Sequence, residues 1–302
     1  MIYPPKPRTS NVYLQDGKPL VAKIPHFNGD YLPQSVAMAA DLLGGLDCSI
    51  HSGDRVIIKP NFNCSFALPL ATDLAFLAAI IELLQDHNVQ VTVGEMCGKA
   101  NWPTDEVIEK LGVLPVLKRY GVPFINFQHD EWIEVEIPGN HFKTLHVPRS
   151  IYEFDRRVYT GNMRTHNSAR LSVTLKLGVG FISADDRTFL HSDQSITEQK
   201  VADINLVWQP DLVFVDGRRS TVTRYGRGPY IYPNLIMASG DMVAIDTQAV
   251  KELQKFEADN ALHVPLEEIS QLSLSQAHGI GSMDYILREA EPRIHTEENS
   301  IF

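Results

Sequence analysis

Two imidazoles and one lysine amine occur close together in the middle of the chain, at His166, Lys176 and His191. A neutral imidazole is the commonest protein ligand for transition metals and is also a general acid or base near neutral pH. A lysine amine in an apolar environment can transfer protons or form a covalent bond to a cofactor. We therefore predict that His166 and His191 are metal ligands or acid–base groups, and that Lys176 is a catalytic amine beside the metal.

Each of these residues also has a simpler interpretation. A single histidine is more often a surface or hydrogen-bonded residue than a ligand. Lys176 lies in an otherwise apolar segment, residues 171–179, so its stem can pack against apolar neighbours while its ammonium reaches water. The sequence leaves both alternatives open.

The hydrophobic pattern predicts the elements that position these side chains. Short apolar runs alternate with helical patterns, which is typical of an α/β fold with a mostly parallel central sheet and helices on both faces. We expect one α/β domain over residues 1–302, with two lobes meeting near residue 150 as the alternative. Residues 132–147 alternate with period two around a Pro-Gly-Asn turn, which predicts an inserted antiparallel hairpin. That hairpin could be an edge, a flap or the contact of a homodimer.

Polar clusters follow several predicted strands, and parallel strands bring such clusters to one edge of a sheet. Lys59 and Asn61 follow an early strand, and Asp216 with Arg218 and Arg219 follows a later one. We predict Lys59 as a catalytic amine, Asn61 as a substrate-binding amide and Asp216 as a metal ligand or orienting carboxylate. The guanidinium groups of Arg218 and Arg219 would bind an anionic substrate group. Alternatively, these arginines pair with nearby acids.

Composition narrows the partners. The chain has 302 residues, a formal net charge of −10 and a pI near 5.5, which argue against nucleic acid or an anionic membrane as partner and favour a small anionic substrate. No apolar run has the length of a signal peptide or membrane span, so a cytoplasmic location is expected. Three dispersed cysteines cannot form a four-cysteine iron–sulfur cluster, and no dinucleotide fingerprint supports NAD or flavin.

An ordered set of short segments resembles the family catalogued as domain of unknown function 362. The match runs from about residue 54 to residue 285, and the segments are Val56–Asn61, Val93–Glu95, Thr165–His166, Leu175–Lys176, Leu190–His191, Val213–Gly217 and Ala238–Asp246. The chain departs from the usual family pattern at Arg164, where a lysine is usual, and at Leu177, where an asparagine is usual. It also lacks the cysteine-rich ferredoxin-like segment of many members.

A fainter pattern is similar to the nickel-dependent lactate racemase family. The resemblance implies that His166 is a proton-transfer base, Lys176 the attachment point of a nickel pincer cofactor and His191 a metal ligand. The second catalytic histidine of that family has no counterpart in the loop from Gly94 to Lys99.

These observations together predict a metal-dependent enzyme that acts on a small carboxylate-type metabolite. Iron or nickel is the expected metal, and isomerase, lyase and oxygenase chemistry all stay open. The alternative is a non-catalytic ligand-binding or assembly protein that uses the same cleft.

Overall fold

The computed structural model describes residues 2–6, 10–97, 102–223, 228–257 and 261–291. Within these ranges the strands are β1 (Ile2–Tyr3), β2 (Leu14–Gln15), β3 (Lys18–Pro25), β4 (Arg55–Lys59), β5 (Gln90–Glu95), β6 (Phe124–Asn126), β7 (Trp132–Glu136), β8 (Thr144–Pro148), β9 (Arg156–Asn162), β10 (Arg164–His166), β11 (Arg170–Ser172), β12 (Leu212–Gly217), β13 (Ser220–Thr221), β14 (Tyr230–Ile231), β15 (Leu235–Ser239) and β16 (Ile286–Glu289). The α-helices are α1 (Leu32–Leu43), α2 (Leu74–Asp86), α3 (Thr104–Leu111), α4 (Val113–Arg119), α5 (Ala184–His191), α6 (Thr197–Ile204), α7 (Met242–Leu253) and α8 (Ser270–Ala277).

One large sheet organises the fold. Its strand order is β16-β3-β15-β12-β9-β4-β5-β6, and β2 adds to β3. The strands β6, β5, β4, β9 and β12 are mutually parallel. Among the described strands in this order, only β15 runs opposite to its neighbours, because β3 and β16 again point in the direction of β12. The predicted mostly parallel central sheet is therefore confirmed.

Both faces of the sheet are covered, as parallel strands require. Along β3, Val21 points into one hydrophobic core while Leu20 and Ala22 point into the other, which is the period-two alternation of a strand. Helices α1 to α4 pack on the second of these cores. Helices α5 to α8 pack on the first. The expected α/β architecture with helices on both faces is confirmed.

The predicted hairpin is also present. Strands β7 and β8 pair antiparallel, and β1 joins β7 in parallel to make a small three-stranded sheet. Alternate residues of the hairpin, Ile133, Val135, Leu145 and Val147, are buried in the same core as helices α5 to α8. The hairpin thus covers part of one face of the central sheet. None of the described helices combines the length and apolar character needed to cross a bilayer.

Candidate functional site

Lys176 lies on a 3-10 helical segment, Leu175–Phe181, which follows strand β11. The segment lies at the carboxyl edge of the parallel strands and lines a small polar cavity that is partly open to solvent, with an enclosed part of about 30 Å³. Its charged lining residues are Lys59, Glu95, Arg164, Lys176 and Arg187. Strands β4 and β5 are parallel neighbours that end at Lys59 and Glu95, and this brings the two side chains together.

The Lys59 ammonium and the Glu95 carboxylate form a fully buried ion pair at 2.7 Å. Lys59 also donates to the Pro60 carbonyl at 2.7 Å. Glu95 additionally accepts from the backbone N–H groups of Phe62 and Met96. Burial lowers the pKa of Lys59, an effect that the charge of Glu95 opposes. Within the cavity, Lys59 is therefore a cation already neutralised by a carboxylate.

Arg164 and Lys176 have no such partner. Within the described part of the chain neither side chain forms an ion pair, and the Nε of Arg164 is buried without a hydrogen-bond acceptor. Burial lowers the pKa of Arg164 to about 10. Lys176 keeps some accessible surface towards the cavity but is otherwise enclosed by protein, and desolvation followed by the charges of Arg164 and Arg187 lowers its pKa to about 7.

Arg187 is held in place by backbone carbonyl groups. Its guanidinium donates to the carbonyls of Ile182, Met96 and Cys97. It is buried, and burial lowers its pKa to about 10. Since these acceptors are neutral, Arg187 still contributes positive charge to the cavity wall.

The two histidines lie near Lys176 but do not share its cavity. His166 lines a second cavity of about 290 Å³ that has no lining residue in common with the first. His191 is the last residue of α5, and its side chain is partly exposed and partly covered by protein. Burial and then the charge of Lys176 lower the pKa of His166 well below its usual value, and the same two causes lower the pKa of His191 to about 4. All three residues therefore lie in one positive region, in which the imidazoles are neutral.

The orientation of His166 limits its chemistry. Its Nδ1 accepts from the backbone N–H groups of Ser168 and Ala169, both at 3.3 Å. A neutral ring that accepts through Nδ1 carries its proton on Nε2. The other ring nitrogen of His166, Nε2, is therefore a hydrogen-bond donor.

Asp216 and Arg218 satisfy each other at the end of β12. The Asp216 carboxylate is fully buried and accepts from Nε and Nη2 of Arg218 at 3.0 and 2.7 Å. Nη2 of Arg218 also donates to Asp73, the N-cap residue of α2, at 2.8 Å. Arg219 donates to the Leu68 carbonyl and lies over the ring of Tyr230. Neither arginine lines the cavity of Lys176, whereas Asn61 does.

These arrangements do not fit a divalent metal. The described residues contain no group of three or more His, Cys, Asp and Glu side chains in a ligating arrangement. Asp216 is committed to Arg218, and His166 presents an N–H where a ligand needs a lone pair. The unpaired cations beside them would repel a metal ion. Residues 98 and 99 of the loop from Gly94 to Lys99 lie outside the described residues.

Three residues of the site had no role in the sequence-based prediction. Glu95 could have been found, because it ends the strand next to β4. Arg164 precedes Thr165 and His166 in a polar strand-end cluster and departs from the usual family pattern, but neither observation predicted a role for it. Arg187 lies within helix α5, and its contact with the carbonyls of Met96 and Cys97 has no local signal in the sequence.

The chain belongs to the family described as Domain of unknown function (DUF362), whose profile matches residues 56–251. The resemblance expected from the sequence is thereby confirmed. A curated relative is a thylakoid-associated protein of Synechocystis sp., which is 22% identical over 214 residues. The match covers 68% of this chain and spans 64% of the length of that relative.

A solved structure of the lactate racemase apoprotein from Thermoanaerobacterium thermosaccharolyticum is also similar. The TM-score is 0.38 and the sequence identity is 14%. The match covers 67% of this chain and half of the racemase chain, 50%.

Proposed function

We propose that this protein binds a small carboxylate-type anion in the cavity of Lys176, and that the amine of Lys176 transfers a proton to or from the bound molecule. One observation carries the proposal: Arg164 and Lys176 are enclosed cations that face a cavity without a carboxylate partner in the described structure. Enclosing an unpaired cation is costly unless a ligand supplies the missing charge.

The charge of the cavity wall specifies the class of ligand. Its described lining residues include four cationic side chains and one carboxylate, Glu95, which Lys59 already neutralises. An anion that enters gains attraction from Arg164, Lys176 and Arg187. Arg164 lines the cavity, and the N–H groups of a guanidinium can orient a carboxylate. Asn61 offers an amide for a second polar contact.

Lys176 has the properties of an acid–base group. An amine with a pKa of about 7 is populated in both protonation states at neutral pH, which suits general acid–base catalysis. An anchored carboxylate would place its neighbouring carbon beside this amine. Removal of a proton from that carbon is the first step of many isomerase and lyase reactions, so these are the reaction classes that we favour.

The binding half of the proposal is tested by calorimetric titration with acetate and with inorganic phosphate at pH 6, where Lys176 is charged. We expect Lys176→Met and Arg164→Gln each to weaken binding by about tenfold or more, since each removes a charge-assisted hydrogen bond. Arg149→Gln is the matched control, because Arg149 pairs with Glu131 on the surface. Equal affinity in all four proteins would contradict the proposed site.

The catalytic half needs a separate readout. Small 2-hydroxy carboxylates are incubated with the protein in D₂O, and exchange of the hydrogen on the carbon next to the carboxylate is followed by NMR. We expect exchange that Lys176→Met abolishes. Binding without any exchange would make the protein a ligand-binding module.

A further inference from the structure

Asp246 of helix α7 is a fully buried carboxylate that contacts the backbone just before Lys176. Its oxygens accept from the backbone N–H of Thr174 at 2.9 and 3.2 Å, and from the backbone N–H of Leu175 at 3.0 Å. The Thr174 hydroxyl donates to it at 2.6 Å. Asp246 therefore holds the start of the 3-10 segment that carries Lys176.

The Asp246 carboxylate forms no ion pair within the described residues. Desolvation raises its pKa to about 7, and the hydrogen bonds from Thr174 and Leu175 oppose this rise. A buried carboxylate without a cation is costly. Its three donor groups all lie on two consecutive residues, which indicates that its role is to fix that short stretch of backbone.

A second side chain fixes the same stretch from the other direction. The amide of Asn205, at the end of α6, donates to the Leu175 carbonyl at 2.8 Å and to the Val201 carbonyl at 2.8 Å. The peptide groups on both sides of Leu175 are therefore anchored. The next residue along the chain is Lys176, so its Cα and the direction of its side chain depend on these anchors.

We propose that Asp246 is the positioning residue of the site: it fixes the backbone at Thr174 and Leu175 and so keeps the Lys176 amine enclosed in the cavity. The role of Lys176 in anion binding and proton transfer rests on the proposed function above. The enclosure of the amine by Asp246 can be measured without any ligand.

The test follows the Lys176 amine directly. The protein is labelled with ¹³C-lysine, and the Cε resonance that disappears in Lys176→Met is titrated with pH. In the wild type we expect a midpoint near 7. Asp246→Asn replaces an acceptor of four bonds by a side chain with one acceptor atom. We expect it to release the segment, so that Lys176 reaches water and its midpoint rises by at least about one pH unit.

Asp203→Asn is the matched control. Asp203 is equally buried and accepts from the backbone N–H groups of His141 and Phe142, and its other oxygen lies 3.0 Å from Nε2 of His278. Among the described residues it accepts no hydrogen bond from the Lys176 segment. We expect it to leave the Lys176 midpoint within a few tenths of a pH unit of the wild type. A midpoint that is unchanged in Asp246→Asn, or that moves equally in Asp203→Asn, would overturn the proposal.

Thr174→Val keeps the test decisive if Asp246→Asn does not fold. It removes the hydroxyl that donates to Asp246 at 2.6 Å and to the Met242 carbonyl at 3.4 Å, and it keeps the backbone bonds to Asp246. A smaller rise of the Lys176 midpoint is expected, and no rise would contradict the proposal. Acetate titration of the same proteins separates the two hypotheses. If acetate does not bind the wild type, the proposed function fails while the Lys176 midpoint still tests Asp246.

Discussion

Two groups of cations near the carboxyl edge of the sheet have opposite surroundings. Arg218 contacts two carboxylates, those of Asp216 and Asp73. Arg164 and Lys176 contact none among the described residues and face a cavity instead. We call Arg218 with Asp216 and Asp73 the closed group, because its charges are neutralised within the protein. Arg164 and Lys176 form the incomplete group, because no carboxylate of the described residues neutralises them. The difference favours the cavity of Lys176 as the place where a ligand anion would bind. It favours a stabilising role for Arg218.

The largest expected effect on stability concerns the closed group. Arg218→Met leaves the fully buried Asp216 without its cation, so we expect the free energy of unfolding to fall by about 3 kcal/mol. Urea denaturation at pH 7 measures it. Arg149→Met breaks an exposed pair and should leave the free energy of unfolding nearly unchanged. If both variants cost the same, the distinction between the closed and the incomplete group is wrong.

The opposite sign is expected for the incomplete group. Lys176→Met removes an enclosed unpaired cation and should raise the free energy of unfolding at pH 6 by on the order of 2 kcal/mol. The pKa of Lys176 falls from 10.5 in the unfolded chain to about 7 in the folded one, so unfolding takes up a proton between these values and the wild type gains stability as pH rises through them.

The advantage of Lys176→Met should therefore shrink from pH 7 towards pH 10. Urea denaturation at pH 6, 8 and 9.5 measures this trend. A difference between the two proteins that does not vary with pH would show that Lys176 is not desolvated.

The smallest expected effect sharpens the comparison within the cavity. A Cβ added at Gly180 would collide with the ends of Lys59 and Glu95, so Gly180→Ala must displace that ion pair. We expect a loss of about 1 kcal/mol in the free energy of unfolding and weaker acetate binding. In Gly228→Ala, the added Cβ meets no atom of a described residue closer than 3.8 Å, and neither property should change. Unchanged acetate binding in Gly180→Ala would place the anion elsewhere.

Local patterns in the sequence were sufficient for the architecture. The alternation of short apolar runs with helical patterns predicted the mostly parallel sheet, and the alternation in residues 132–147 predicted the β7–β8 hairpin. The same patterns predicted Lys59 and Asn61 at the carboxyl edge of the sheet, where they lie in the structure. These features follow from side-chain periodicity and strand direction, which are properties of neighbouring residues.

The partners of the charged side chains were decided by the tertiary structure alone. Arg218 meets Asp73 across 145 positions of sequence, and Asp246 meets Thr174 across 72. Whether a cation is neutralised depends on which distant carboxylate the packing brings within hydrogen-bond reach, and no local pattern contains that information. The sequence by itself therefore determined that His166, Lys176 and His191 occur in one region of an α/β fold. The tertiary structure determined that, of these three residues, Lys176 is the enclosed cation that has no carboxylate partner among the described residues.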